Sequence, residues 1–234
     1  MSATVLRIPV SKSQANYSFT EENYLKTMYK LLEKGDKKIS TNSVSAALRT
    51  TPASVTDMLK KLADKKLISY KPYQGFSLTA AGKKVALTVI RKHRLWELFL
   101  VEKLGFSWDQ VDEIAEELEH IRSETLVEKL DNFLGKPRFD PHGDPIPDVM
   151  GNFLPHKSWP LSSATEKDTV TVTGVIDHQP SFLQFLASNN IGLGCKITIV
   201  EKVAYDQSMN ITTNGQRKST HISHEVAKNI LVAI

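Results

Sequence analysis

Just after Ser18-Phe19-Thr20-Glu21, whose serine and glutamate have the spacing of a capping box, apolar residues recur at helical intervals: Tyr24, Leu25, Met28, Tyr29, Leu31 and Leu32. The pattern predicts a helix over about 19–33. Gly35 and the polar stretch to Ser40 end it, and Thr41 or Asn42 can cap a short second helix through Leu48. Pro52 favours the start of a third, with Val55, Met58, Leu59 and Leu62 on its inner face. The period then drops to two. Leu67-Ile68-Ser69-Tyr70-Lys71 reads as a strand, Pro72-Tyr73-Gln74-Gly75 as a turn, and Phe76-Ser77-Leu78-Thr79 as the returning strand. Three helices and a hairpin, in that order, are the elements of a winged helix-turn-helix.

Beyond the hairpin, Val85, Leu87, Val89, Ile90, Leu95, Leu98 and Phe99 predict one long helix over about 80–103. Ser107-Trp108-Asp109-Gln110 has the form of another capping box and predicts a helix reaching about Ile121, followed by an amphipathic helix over 123–134. A proline-rich stretch over 135–160 is expected to be turns or linker. Short strands are expected over 169–175, 196–203, 209–213 and the last residues, with a short helix near 182–187, giving a small barrel-like β domain. The expected fold class is therefore mainly α, a winged helix-turn-helix followed by a helical domain, plus a C-terminal small β-barrel. The expected bounds are a flexible arm over 1–17, a DNA-binding domain over 18–80, a helical domain over 81–150, a linker over 151–168 and the β domain over 169–234.

Charge sharpens this picture. Residues 1–100 carry 18 basic and 7 acidic side chains, and residues 101–170 carry 7 basic and 15 acidic ones, within a chain of 234 residues and net charge +4. A basic first part suits a polyanion; an acidic middle suits a cation or a solvated face. The lone Cys195 excludes an internal disulfide, no basic-then-apolar leader opens the chain, and no uncharged apolar run is long enough for a membrane helix. A cytoplasmic protein with no membrane partner is expected.

In a winged helix-turn-helix the third helix enters the major groove. Its first turns carry Ala53, Ser54, Thr56, Asp57 and Lys60 as candidate DNA contacts, with Lys61, Lys65, Lys66 and Lys71 as a basic flank and Tyr73 and Gln74 at the wing tip. Asp57 is repulsive to phosphate unless it meets a cytosine amine or restrains a lysine.

In the acidic middle, Asp112, Glu116, Glu119 and His120 have helical spacing, and His93 and Glu97 lie one turn apart on the preceding long helix. Two facing helices with these residues can present carboxylates and imidazoles to one point or to two adjacent points. Such oxygen-rich sets suit Mn(II) or Fe(II), whereas a closed zinc site would more often recruit cysteine. No nucleophile motif, phosphate loop or His-Glu-x-x-His pattern occurs, so an enzyme is not expected; a metal-dependent hydrolase and a metal-independent DNA-binding protein with a structural ion stay as alternatives.

Five segments, Asn23-Tyr24-Leu25-Lys26-Thr27-Met28-Tyr29, Pro52-Ala53-Ser54-Val55-Thr56, Arg91-Lys92-His93-Arg94-Leu95, Glu119-His120 and Phe139-Asp140-Pro141-His142-Gly143-Asp144-Pro145-Ile146-Pro147, occur in an order that resembles the diphtheria-toxin-repressor or manganese-transport-regulator family. The resemblance runs from about 19 to 234. It implies a homodimer that binds palindromic operator DNA when loaded with Mn(II) or Fe(II), has no small organic substrate, and carries an SH3-like C-terminal domain. It further implies an ancillary site of His93, Glu97 and Asp112 and a primary site of Glu116, Glu119 and His120, so that two sites per subunit fit the pattern. Asn23 and Lys26 stand where the manganese type has an aspartate and a glutamate; Asn23 still offers a neutral oxygen, and Asp177, His178 or Gln179 stand where the small domain would complete the second site. Trp108, Leu118, Leu126, Leu130 and Phe133 are the candidate dimer residues, although the same stripe would also serve an internal core.

Overall fold

The computed structural model describes residues 17–33, 35, 39–71, 75–155, 157–216 and 218–234. The expected arm over 1–17 lies outside them except for Tyr17, and so does the wing tip with Tyr73 and Gln74. The chain divides into two compact units, Met1–Lys83 and Lys84–Ile234.

In the first unit, helix α1 (Phe19–Glu33) opens with the anticipated reciprocal cap: the Glu21 amide donates to Ser18 Oγ and the Ser18 amide to Glu21 Oε2. Helix α2 (Thr41–Leu48) is capped one residue earlier than expected, by Ser40, whose hydroxyl accepts from the Ser43 amide while the Ser43 hydroxyl accepts from the Ser40 amide. Arg49 then takes a left-handed φ of 49°, which turns the chain toward Thr51, the N-cap of α3 (Pro52–Asp64). Tyr24, Leu25, Met28, Val44, Val55, Leu59 and Leu62 are buried, as the period required. Strands β1 (Ile68–Lys71) and β2 (Gly75–Leu78) pair antiparallel, with Ile68 opposite Leu78.

Helix α4 (Ala80–Leu104) leads into the second unit. There α5 spans Val111–Leu118 and α6 spans Glu124–Phe133. The helix expected to open at Ser107 opens at Val111 instead. Only one half of that predicted box forms, the Ser107 amide donating to Gln110 Oε1, and Gln110 makes no side-chain cap of its own. Leu95, Trp96, Leu98, Ala115, Leu130 and Ile146 form the helical core.

The β-rich part contains β3 (Trp159–Pro160), β4 (Thr169–Val175), α7 (Pro180–Ser188), β5 (Lys196–Lys202), β6 (Met209–Thr213), β7 (Thr220–Ile222), α8 (His224–Lys228) and β8 (Ile230–Ala233). Its six strands pair antiparallel in the order β3-β8-β4-β5-β6-β7 around a core that includes Val170, Val172, Leu183, Leu186, Ile197, Ile211 and Ile230. Among the described residues β3 and β7 do not pair, so the expected barrel is a sheet with two very short edges. Ladder β4–β8 bulges between Val172 and Gly174, and the loop containing Gly143 docks there: a Cβ on Gly143 would lie 2.2 Å from the Thr173 carbonyl oxygen.

Candidate metal centre and nucleic-acid interface

Helix α4 presents His93 and Glu97 one turn apart, and both are buried. His93 Nδ1 lies 2.7 Å from Glu119 Oε2, while its Nε2 lies 3.4 Å from both Glu97 Oε1 and Asp112 Oδ1. Helix α5 brings Asp112 and Glu116, and its C-cap residue is Glu119. Candidate ligand atoms fall into groups each spanning no more than 4.8 Å: His93 with Glu116 and Glu119, and His93 with Glu97 and Asp112. Five of the seven residues expected from the sequence are thus brought together. His120 is buried with Nε2 at 3.8 Å from Glu119 Oε1, yet it joins neither group. Asn23 sits on α1 of the first unit, and its Oδ1 is buried without a hydrogen-bond partner.

A third group was not anticipated: Glu97, Asp140 and His142, all three buried. Asp140 and His142 stand in the proline-rich stretch that has no hydrophobic period. The turn there is built by Asp140 Oδ1, which accepts from the amides of His142 at 2.8 Å and Asp144 at 3.0 Å. Asp140 Oδ2 is left without a hydrogen bond and is approached at 3.6 Å by Arg94 Nε. Arg94 also donates to the Pro145 carbonyl and to Asp144 Oδ2, pinning the loop on α4. The sequence signal for these residues was the Phe139–Pro147 string itself, which carried the family resemblance without marking a ligand.

The His142 ring is oriented by its far nitrogen. Nε2 lies 2.8 Å from the Trp108 carbonyl oxygen, and because a carbonyl only accepts, Nε2 carries the proton. Nδ1 is thus the ring nitrogen left to face a ligand. It is buried, lacks a hydrogen-bond partner and faces Glu97 Oε1 at 3.5 Å. A buried imidazole nitrogen grouped with two carboxylates matches the donor set of a divalent cation.

The electrostatics agree. Burial and the charges of Glu97 and Asp144 hold the Asp140 carboxyl well above the usual carboxylate range, against the opposing pull of Arg94. Burial disfavours the charged form of His93, but Glu97, Asp112 and Glu119 outweigh it and raise its pKa well above the ordinary imidazole value. Burial likewise opposes ionisation of Glu97, yet charged His93 brings it down to about 2.

On the first unit, Ala53, Ser54, Thr56, Asp57, Lys60 and Lys61 are exposed along α3. Asp57 restrains Lys60 at 3.5 Å, one of the two roles its position suggested. Thr56 Oγ1 donates to the Pro52 carbonyl at 2.9 Å, and the Ser54 and Thr51 hydroxyls share a hydrogen bond of 2.9 Å. Lys61 Nζ lies 3.1 Å from Glu21, which is wholly buried and also receives Lys65 at 2.7 and 2.9 Å on its two oxygens. Of the candidate dimer residues, Leu126 and Phe133 are exposed, Leu130 is buried in the helical core with Leu118 against it, and Trp108 packs on the β-domain core.

Three family models match successive parts of the chain. Residues 17–76 match the model "Iron dependent repressor, N-terminal DNA binding domain", residues 79–148 match "Iron dependent repressor, metal binding and dimerisation domain", and residues 159–234 match "FeoA domain". Similar proteins include the HTH-type transcriptional regulator MntR of Oceanobacillus iheyensis, 34% identical over 47% of this chain and 73% of that one. The iron-dependent repressor IdeR of Mycobacterium leprae is 31% identical over 56% of each chain, so the match spans about half of that relative. Among solved structures, a manganese-dependent transcriptional repressor in complex with manganese is 30% identical, with a TM-score of 0.81 over 91% of this chain and 99% of the other. By these matches the chain belongs to the iron-dependent repressor family of metal-dependent transcriptional regulators.

Proposed function

We propose that this protein is a cytoplasmic repressor that binds a palindromic operator as a homodimer when loaded with Mn(II) or Fe(II), and that its targets are genes of manganese or iron uptake. It is a regulator, not an enzyme, as its relatives are. The observation that carries the metal reading is the buried Nδ1 of His142, which has no hydrogen-bond partner and belongs to a group of ligand atoms with Glu97 and Asp140. The absence of thiolate from any of the three groups favours Mn(II) or Fe(II) over a closed zinc site.

The three groups overlap, which limits how they fill. His93 belongs to two of them, and a neutral imidazole offers one lone pair while its other nitrogen keeps the proton. When Nδ1 serves the group with Glu116 and Glu119, Nε2–H donates toward Glu97 and Asp112, and the middle group loses its imidazole. We therefore assign the two outer groups, His93 with Glu116 and Glu119, and Glu97 with Asp140 and His142, as the pair that fill together. Asp112, whose side chain is 53% exposed, is a charge beside them. His120, beside Glu119, remains a candidate for completing the first group.

A bound divalent ion supplies positive charge that offsets the crowding of Glu97, Glu119 and Asp140. The protein's part is to convert that into DNA affinity, which requires a higher metal affinity in the DNA-competent dimer than in the incompetent one. Exposed Leu126 and Phe133 on α6 are the proposed centre of the dimer contact. The test is a titration of Mn(II), Fe(II) and Zn(II) into full-length protein with a candidate palindromic operator. Operator affinity rising with Mn(II) or Fe(II) supports the proposal. Equal affinity with and without every metal rejects metal control and leaves a constitutive DNA-binding protein.

A further inference from the structure

We propose that His178, in the β-rich domain, is a positioning residue for the metal centre, holding the His142 imidazole in the plane from which Nδ1 meets Glu97 and Asp140. The inference rests on the reading of Glu97, Asp140 and His142 as a cation site. The hydrogen bond from His142 Nε2 to the Trp108 carbonyl fixes one atom of the ring and leaves its tilt about the Cβ–Cγ bond weakly defined. Two near-parallel rings define that tilt: Trp108 at a centroid distance of 6.1 Å and an interplanar angle of 13°, and His178 at 4.5 Å and 21°. His178 is the closer, and it comes from a different part of the fold.

Local structure places His178. It follows β4, in a turn where Asp177 Oδ1 accepts from the Gln179 amide at 3.0 Å, just before Pro180 opens α7. The backbone beside it is tied to the same loop, the Val175 amide donating to the His142 carbonyl at 2.9 Å. Gly143 packs against Thr173 and Gly174 with no room for a side chain. The β domain therefore grips the 140–143 turn through backbone contacts and His142 through a ring.

The same geometry separates positioning from ligation. Nitrogen lone pairs lie in the plane of an imidazole, so an ion held by His142 Nδ1 lies near the His142 plane. A ring stacked at 4.5 Å and 21° has its own nitrogens in a plane displaced from that of His142, and His178 belongs to none of the three groups of ligand atoms. His178 acts through the His142 ring, as outer-shell partners of metal ligands do.

The experiment measures Mn(II) binding to the full chain by titration calorimetry, with free Mn(II) counted by its electron paramagnetic resonance signal, for wild type, His178→Ala, His178→Phe and Asp140→Asn. Loss of an outer-shell partner is expected to weaken the ion at this group by about 10- to 100-fold in His178→Ala. His178→Phe, which keeps a flat ring and has no lone pair, should stay within about threefold of wild type on the same scale. Equal loss in both variants, with unchanged thermal unfolding, would make the imidazole itself necessary and overturn the positioning role. No loss in His178→Ala overturns it as well. Asp140→Asn keeps these failures apart: if it weakens one ion per chain while His178→Ala does not, only the role of His178 falls, and if it changes nothing, the cation site itself is wrong.

Discussion

The two units bury carboxylates in opposite ways. In the first, Glu21 is wholly buried, yet Lys65 meets both its oxygens, Lys61 stands at 3.1 Å, and the Ser18 amide completes the set. Burial works against its ionisation, but those partners bring its pKa down to about 2. In the second, Glu97, Glu119 and Asp140 are equally buried, Glu97 against Asp140, and three buried polar atoms beside them lack a hydrogen-bond partner, His93 Nδ1, Asp140 Oδ2 and His142 Nδ1. A buried acid with its cations built into the chain is a structural device. A buried set of acids with an imidazole nitrogen among them and little fixed positive charge is what the proposed cation would offset.

The sharpest way to break this comparison is to remove the carboxylate that two of the groups share. Glu97→Gln takes a charge from both the middle and the His142 group, and Mn(II) affinity at the latter should fall by roughly 100- to 1,000-fold, beyond the range typical of outer-shell changes. Metal-promoted operator binding should fall with it in a gel-shift titration. If calorimetry returned the wild-type affinity and stoichiometry, the crowded acids would be structural after all, like Glu21.

Next in size is a substitution that touches no ligand. Gly143 has a φ of +88°, and a Cβ there would lie 2.2 Å from the Thr173 carbonyl oxygen, so Gly143→Ala meets both backbone strain and a clash with a strand. A loss of about 2–3 kcal/mol in denaturant unfolding is expected. Weaker Mn(II) binding should accompany it, because the same turn carries Asp140 and His142. Wild-type stability would mean that the loop does not need its close seat on β4.

Why the sequence disclosed one region and concealed the other follows from these residues. Helix α1 was legible to its ends because a capping box and a clean period coincide at Ser18–Leu32, and α3 because Thr51-Pro52 precedes Val55, Leu59 and Leu62. The box at Ser107 misled by four residues because spacing alone does not say whether the backbone after it turns helical; Gln110 bonds back to Ser107, and the helix waits for Val111. His93, Glu97, Asp112, Glu116 and Glu119 were found because helical spacing survives in the sequence as three- and four-residue steps. Asp140 and His142 have no such period. Their convergence on Glu97, 43 and 45 residues earlier in the sequence, depends on an aspartate-built turn and on Arg94 holding it to α4 across 50 residues of chain, a contact that no local pattern encodes. The short elements β3, β7 and α8 were missed for a related reason, since two to five residues are too few to express a period.

Glu21 gives a smaller, pH-dependent effect. Its pKa is depressed in the fold, so it contributes stability at pH above the ordinary glutamate value, and that contribution is lost as pH falls toward about 2. With Lys61 and Lys65 partly exposed and screened, Glu21→Gln should cost about 2 kcal/mol at neutral pH and progressively less in acid. An equal cost at pH 7 and pH 3 would mean that charge pairing is not what ties α1 to α3.

The smallest effect concerns the DNA side of the comparison, and it depends on which lysines are already committed. Lys60 is exposed and, among the described residues, paired with exposed Asp57 at 3.5 Å, so a phosphate can take it over at little cost. Lys65 gives both its contacts to buried Glu21, and releasing it would strand that carboxylate without its closest partner. Lys60→Gln should therefore lower operator affinity a few-fold for every sequence and reduce the slope of log affinity against log salt by about 1. Lys65→Gln should leave that slope unchanged while lowering stability, and Lys61, with its ammonium 3.1 Å from Glu21 and its stem exposed, should fall between the two. If Lys65→Gln flattened the salt dependence as much as Lys60→Gln, Glu21 would not be withholding these cations from DNA, and the contrast between an acid neutralised from within and acids awaiting a metal would lose its first term.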